Sequence, residues 1–262
     1  MSDCRPSHDQ RFKLTIAFDG AAYHGWHAGR SGMGASDHIE KALAVLFPSA
    51  PQLVSSSRTD SGVHALGLVA HFDVPENEAT MPGRRLGPAI NSLLPADIRI
   101  LSAARTCGSF HARFGATSKQ YRYQVWNAPV MNPLLAGHAW HVPQPLDLAT
   151  MRQAAALLRG CHDFRAFTSR RDGTLADPSR TLTRCEIRRS GPLLAFVLEG
   201  NGFLYKMCRG IVGTLVRTGR GLMSCSEVEA LLTNPDLHCG RLNAPAHGLV
   251  LWKVSYSRTP AK

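Results

Sequence analysis

The sequence holds no apolar run that approaches the length of a bilayer span. Its cysteines form no recognisable framework. There are seven, Cys4, Cys107, Cys161, Cys185, Cys208, Cys225 and Cys239, an odd number with no pair at C-x-x-C spacing. That argues against a disulfide scaffold and a structural zinc site, and reads as buried thiols in a reducing compartment. Acidic residues are scarce, 19 Asp and Glu against 30 Lys and Arg. The common cofactor and hydrolase signatures are missing: the chain has no Walker A loop, no G-x-G-x-x-G, no H-E-x-x-H and no G-x-S-x-G. No internal repeat or low-complexity tract stands out. Nothing in the chain requires a metal or a nucleotide cofactor.

What remains is a globular chain with an excess of positive charge. Its 262 residues, 44% hydrophobic and 19% charged, suffice for one large domain or two modest ones. The formal net charge of +11 favours a polyanionic partner, because each cation facing a phosphate releases condensed counterions. An anionic membrane surface, or a merely soluble basic protein, satisfies the charge equally well. The first ten residues, MSDCRPSHDQ, are polar and lack a secretory apolar stretch, which predicts a disordered tail over 1–10 on a cytoplasmic protein.

Hydrophobic periodicity divides the rest into two halves, 11–115 and 116–262. In the first, FKLTIAFDG alternates Phe12, Leu14, Ile16 and Phe18 as a half-buried strand. SDHIEKALAVLFP predicts a helix with an Asp37–Glu40 capping box, stopped by Pro48. LGLVAHFDV alternates as a second half-buried strand, RRLGPAINSLLP is a short helix despite Pro88, and DIRILSAAR is a strand. In the second half, KQYRYQVWN is a strand with Tyr121, Tyr123 and Val125 on one face. DLATMRQAAALLRG is a helix capped by Asp147, and RTLTRCEIRRSGPLLAFVLEG is a hairpin around Ser-Gly-Pro. GFLYKMCRGIVGTLVRTGRG reads as a helix and HGLVLWKVSY as a closing strand. Each half thus runs roughly strand, helix, strand, strand, helix, strand, the first with one strand fewer, a pattern that suits two α+β halves with antiparallel sheets.

The stretch SRTDSGVHALG places Asp60 two residues after Arg58 and two before Gly62. Three explanations are open. Asp60 and Ser61 bond the local backbone in an Asx-turn, with Gly62 supplying positive φ. Or the Asp-Ser-Gly triplet is half of an aspartic-protease dyad, although no second copy exists in the chain. Or Asp60 is itself a nucleophile or base, held still by a tight turn and kept ionised by an arginine.

Two further stretches interleave cations with small or aromatic residues. In GNGFLYKMCRGIVGTLVR, Lys206, Arg209 and Arg217 fall near one helical face and Phe203, Met207, Ile211 and Leu215 on another. Gly202, Gly210 and Gly213 weaken such a helix and point to close approach of another backbone or a ligand. RFGATSKQYRY alternates Arg113, Lys119 and Arg122 with Tyr121 and Tyr123. Strand aromatics of this kind either join the core or stack unpaired bases beside their phosphates. Arg170 and Arg171, with Arg180 and Arg184, suggest a phosphate-tracking loop.

Taken together and in order, SRTDSGVHALG, FDGAAYHGW, FHARFGATSKQYRYQVWN, GNGFLYKMCRGIVG and APAHGLVLWKVSY resemble the tRNA pseudouridine synthase A family, whose members modify the anticodon stem-loop. The resemblance spans about Phe12 to Tyr256. It implies an α+β fold of two α/β halves, with mixed, mainly antiparallel sheets joined into one central sheet, helices on one side and a basic cleft between halves. It also implies cofactor-free isomerisation of uridine to pseudouridine in tRNA, a homodimer and no membrane partner. Carried over by residue, Asp60 is the catalytic aspartate and Tyr121 stacks on the target uracil. Arg209 pairs with Asp60, Arg58 helps bring in the flipped nucleotide, and Leu249 packs the pocket. The basic stretches themselves, apart from the resemblance, add Lys206, Arg170 and Arg171 as RNA-binding residues. This chain departs from the family pattern at His27, Gly29 and Ser36-Asp37-His38, at Ser57 and at Gly210, leaving Asp60, Tyr121 and Arg209 in place. The departures keep open a synthase retargeted to another structured RNA, and an RNA-binding protein without activity is a second alternative.

Overall fold

The computed structural model describes residues 9–169, 177–234, 237 and 242–257. Arg170 and Arg171 therefore lie outside the described residues, as does most of the predicted tail, Asp9 and Gln10 already belonging to the first strand. The chain forms two compact units, one of residues 1–117 and 254–262, the other of 118–253. The α+β class expected from the alternating periodicities is what forms.

The first unit contains β1 (Asp9–Phe18), α1 (Ala35–Leu46), β2 (Val54–Ser55), β3 (His64–Pro75), α2 (Gly83–Asn91) and β4 (Ile98–Thr106). β1 pairs antiparallel with both β3 and β4, and β2 adds to the other edge of β3. Phe12, Leu14, Ile16 and Phe18 point into the core as their alternation predicts. Register places Phe12 opposite Phe72, with stacked rings at 5.4 Å, and Phe47 from the end of α1 closes the cluster at 5.8 Å from Phe72.

β3 departs from the half-buried strand its alternation suggested. Leu68 to Phe72 are all buried, including Val69 and His71 on the second face. That face is covered by a small aromatic layer, in which the Phe110 ring stands edge-on to His71 at 6.0 Å. Lys13 lies over the rings of Phe110 at 5.0 Å and Tyr256 at 4.6 Å. The predicted Asp37–Glu40 capping box is also replaced. α1 starts one turn earlier, with Gly34 as N-cap donating its amide to Asp37 Oδ2 at 2.8 Å, and Glu40 instead accepts the amide of Leu53.

The second unit contains most of β5 (Ala116–Trp126), β6 (Trp140–His141), α3 (Leu148–Leu157), β7 (Gly160–Asp163), β8 (Ser179–Ser190), β9 (Leu193–Gly200), α4 (Met207–Gly219), α5 (Cys225–Thr233) and most of β10 (Leu249–Tyr256), whose last residues belong to the first unit. Strand order is β10-β5-β9-β8-β7, and the short β6 runs parallel to β5, so the sheet is mixed. Asp147 caps α3 as predicted, accepting the amides of Ala149 and Thr150. α5 was not evident from periodicity, although Ser224 and Glu227 form a complete capping box ahead of it.

α4 is the central helix of this unit. All its residues except Arg209 and Arg217 are buried, so its basic side chains are not a solvated face over an apolar stripe. It begins at Met207, after Lys206 in the left-handed conformation (φ +59°), and Asn201-Gly202 precede it in an irregular segment. Two of the three glycines predicted to admit another backbone do so, while Gly202, ahead of the helix, meets only the Arg180 side chain at 3.5 Å. A β-carbon on Gly210 would lie 2.6 Å from the Phe167 carbonyl oxygen, and one on Gly213 would overlap the Leu242 carbonyl.

Candidate active site

Asp60 sits in a turn assembled from two segments of the first unit. β2 ends at Ser55, and the Ser56 amide adds one more bond to Val69 O before the chain leaves the sheet. Asp60, Ser61, Gly62 and Val63 then form a β-turn closed by Val63 N–H to Asp60 O at 3.1 Å, with Gly62 at φ +77°. This much an Asx-turn residue would also supply. The second segment, Asp19–Trp26, goes further by clamping the turn from outside. The amide of Trp26 donates to Thr59 O at 3.1 Å, and Ser61 Oγ and the Gly62 amide donate to Tyr23 O at 3.2 and 3.4 Å.

Glycines make this contact possible. A β-carbon on Gly25 (φ +89°) would lie 2.5 Å from Thr59 O and 3.1 Å from the carbonyl carbon of Asp60, and one on Gly20 would overlap Val63 O. The clamp is itself anchored. Tyr23 donates its hydroxyl to Asp97 Oδ1 at 2.6 Å, and burial together with that bond raises its pKa. The amide of Gly20 reaches Nδ1 of the buried His64 at 3.0 Å. Asp60 is thus half-buried on a backbone held from both sides, and Arg58 beside it is exposed. Such a carboxylate meets the geometric demand on a nucleophile or base, which is fixed position with access.

Two of the positions that depart from the family pattern are hydrogen-bonded to each other. His27 Nδ1 lies 2.8 Å from Ser36 Oγ, which donates to Trp26 O at 2.8 Å. His38 stands edge-on to Tyr23 at 5.4 Å. The changed loop is therefore packed onto the clamp that carries Asp60.

In the second unit, the segment Ala244–Leu249 ties the start of α4 to β5. Arg209 Nε donates to Ala244 O at 2.8 Å and Arg209 O accepts the Ala244 amide at 3.0 Å, fixing the direction of the guanidinium. Pro245 O accepts the Tyr123 hydroxyl at 2.8 Å, and Gly248 packs on the Tyr123 ring. Leu249 follows at the head of β10, beside β5, and is buried. Tyr121 is 8% exposed, and Phe203 meets it edge-to-face at 5.0 Å. Phe203 was placed on the sequence only in an apolar helical stripe; its contact with Tyr121 arises because residues 201–206 are not helical. Lys206 holds its left-handed backbone at the head of α4, with Nζ 4.9 Å from the exposed Tyr205 ring. A non-glycine residue in that conformation stores strain of the kind found at binding sites. Within the second unit the connecting segment carries Leu249 and holds Arg209, Tyr121 lies against Phe203 and Lys206 against Tyr205, while the first unit positions Arg58 and Asp60.

A family model described as tRNA pseudouridine synthase matches residues 154–257. The chain is 41% identical to the tRNA pseudouridine synthase A of Syntrophotalea carbinolica, over 94% of this chain and 96% of that protein. It is 40% identical to the protein of that name from Bacillus subtilis, over 94% and 99% of the two chains. The chain belongs to the tRNA pseudouridine synthase A family. A third member, from Anoxybacillus flavithermus, is 38% identical over 94% of this chain and 99% of its own. The family relationship thus extends over nearly the whole length, including the Asp60 turn, its clamp and the Arg209 helix. The sequence motifs that suggested the family are therefore not isolated matches.

Proposed function

We propose that this chain converts uridine to pseudouridine in the anticodon stem-loop of tRNA, with Asp60 as the catalytic carboxylate. The reaction breaks the glycosidic bond at N1, turns the base, and joins C5 to the sugar as the C5 proton is lost and N1 gains one. It is an isomerisation with no net oxidation, so it calls for no redox cofactor. Asp60 acts as nucleophile or base, and Arg209 is a second member of the catalytic set. Tyr121 stacks on the flipped uracil and Leu249 packs beside it, holding the detached base in place until it re-bonds. Arg58 guides the flipped nucleotide inward, and Lys206, Arg170 and Arg171 bind the RNA backbone.

The observation that carries this proposal is the doubly clamped Asp60 turn in a chain of this family. An Asx-turn alone needs no second segment bonded to it at Thr59, Ser61 and Gly62. No helix among the described residues is long and apolar enough to cross a membrane. We place the enzyme in the cytoplasm with its tRNA substrate, as a homodimer; light scattering that finds only a 28.5 kDa species would remove the dimer.

The deciding experiment is Asp60→Asn assayed on an unmodified tRNA transcript. Asparagine accepts the same local bonds but carries no charge and is no nucleophile. The variant should fold, bind the transcript within a few-fold of wild type, and form no detectable pseudouridine. Full activity would select the turn-residue explanation and remove the catalytic one. Mapping pseudouridine in cellular RNA with and without the protein tests the anticodon stem-loop assignment and would expose a retargeted enzyme.

A further inference from the structure

Between β4 and β5, the chain Phe110–Gly115 makes a tight turn that ends on an exposed aromatic ring. His111 organises it: Nδ1 accepts the amides of both Arg113 and Phe114 at 3.1 Å, and His111 O accepts the Gly115 amide at 2.9 Å. The turn is rooted in the core through Ala112, whose amide donates to Nδ1 of the buried His71 at 3.2 Å and whose carbonyl accepts the Tyr256 hydroxyl at 2.7 Å. The rings then run outward in series. His71 meets His111 at 4.9 Å, and His111 meets Phe114 at 4.4 Å, tilted by 36°. Phe114 itself is 78% exposed, and the Arg113 guanidinium lies 5.6 Å from its centroid.

A phenylalanine left in water on a backbone fixed by three bonds adds little to folding, since its apolar surface is not buried. What the arrangement supplies is a pre-ordered ring face, backed by one ring and flanked by a cation. That combination suits an unpaired base, which stacks on the ring while its phosphate meets the cation. We infer that Phe114, supported by His111 and flanked by Arg113, is a stacking platform for an unpaired nucleotide of the RNA substrate, separate from the Tyr121 pocket. The exposed Arg113 and the overall charge of +11 favour a polyanion here over a second copy of the same cationic chain. The inference rests on the proposal that this chain acts on RNA.

The test is the affinity of a fluorescently labelled, unmodified tRNA transcript for wild type and for Phe114→Ala, Phe114→Leu and Phe114→Trp, with pseudouridine formation by wild type measured on the same transcript. Stacking predicts that Ala weakens binding roughly 5- to 140-fold, the range of one base–aromatic stack at 1.4 kcal/mol per tenfold. Trp should match or exceed wild type, and Leu, apolar but without a π-face, should remain weak. Because the ring is exposed, all three variants should keep the wild-type melting temperature. Wild-type affinity in Phe114→Ala, or full rescue by Leu, overturns the platform. A fall in molecular mass by light scattering in Phe114→Ala would assign the ring to a contact between copies and likewise overturn it. Wild-type turnover with unchanged binding in Phe114→Ala removes the platform alone. The aromatic-selective pattern without wild-type turnover upholds the platform and removes the proposed activity.

Discussion

Gly25 and Thr59 are in backbone contact, with room for a hydrogen but not a methyl group: a β-carbon on Gly25 would lie 2.5 Å from Thr59 O. The residue also holds φ at +89°. Gly25→Ala therefore combines backbone strain with a clash against the segment that carries Asp60, and should cost about 1–3 kcal/mol of stability. Its effect on pseudouridine formation should exceed what lost folded protein explains, because the clash displaces the Asp60 turn. Gly191→Ala is the control. That glycine is also at positive φ, +57°, but a β-carbon there meets nothing within 4 Å. It should lose about 1 kcal/mol and leave turnover per folded molecule unchanged. Equal specific activity for the two variants would refute the clamp.

Tyr121 is buried enough to be a core residue, and its edge-to-face contact with Phe203 could be purely structural. If it stacks on uracil, Tyr121→Phe keeps the stack and loses only the hydroxyl, whereas Tyr121→Ala loses about 1–3 kcal/mol of stacking as well. Single-turnover rates at saturating RNA, compared at matched folded fractions, measure this. Wild-type rates in Tyr121→Ala would return the ring to the core.

The positive surplus should be read out as salt dependence. With about five phosphates contacted, the logarithm of affinity should fall against the logarithm of salt concentration with a slope of roughly −3.5 to −4.5. Replacing Arg170 and Arg171 together should flatten the slope while leaving saturated single-turnover chemistry near wild type. An affinity nearly independent of salt would remove the electrostatic contribution.

His71 should make stability depend on pH. Burial, with Arg11 and His111 nearby, lowers its pKa to about 4, and the facing Asp73 only partly offsets this. Between about pH 6.5 and 4 the unfolded chain therefore holds a proton on this residue that the folded chain rejects. Stability from the neutral ring is fully present above about pH 6.5 and is lost as pH falls through that window, by about 3 kcal/mol. Asp73, whose pKa is lowered by its bond to Arg11, contributes its own loss only at more acid pH. Urea unfolding at pH 7 and 4.5 should show the drop in wild type and a smaller one in His71→Asn, which keeps an acceptor for Ala112. The same pH dependence in both proteins would exclude His71 as its source.

Much of this protein is determined locally and was visible in the sequence. The alternation of Phe12, Leu14, Ile16 and Phe18, the Asp147 cap and the Ser-Gly-Pro hairpin depend on neighbours a few residues apart, so periodicity and side-chain chemistry suffice to place them. The order of strands and helices in the first unit follows, and the family motifs named Asp60, Tyr121 and Arg209. Only the tertiary structure decided how those residues are held. β3 is buried on both faces because the Phe110 ring and its neighbour Tyr256 lie over its second face, and α4 is buried nearly all round because Phe167 and Leu242 press on its glycines. The clamp on Asp60 depends on Gly20 and Gly25 meeting Val63 and Thr59, more than thirty residues away in the chain. A glycine's lack of a β-carbon shows that something approaches closely; which backbone does so is fixed only when the chain packs.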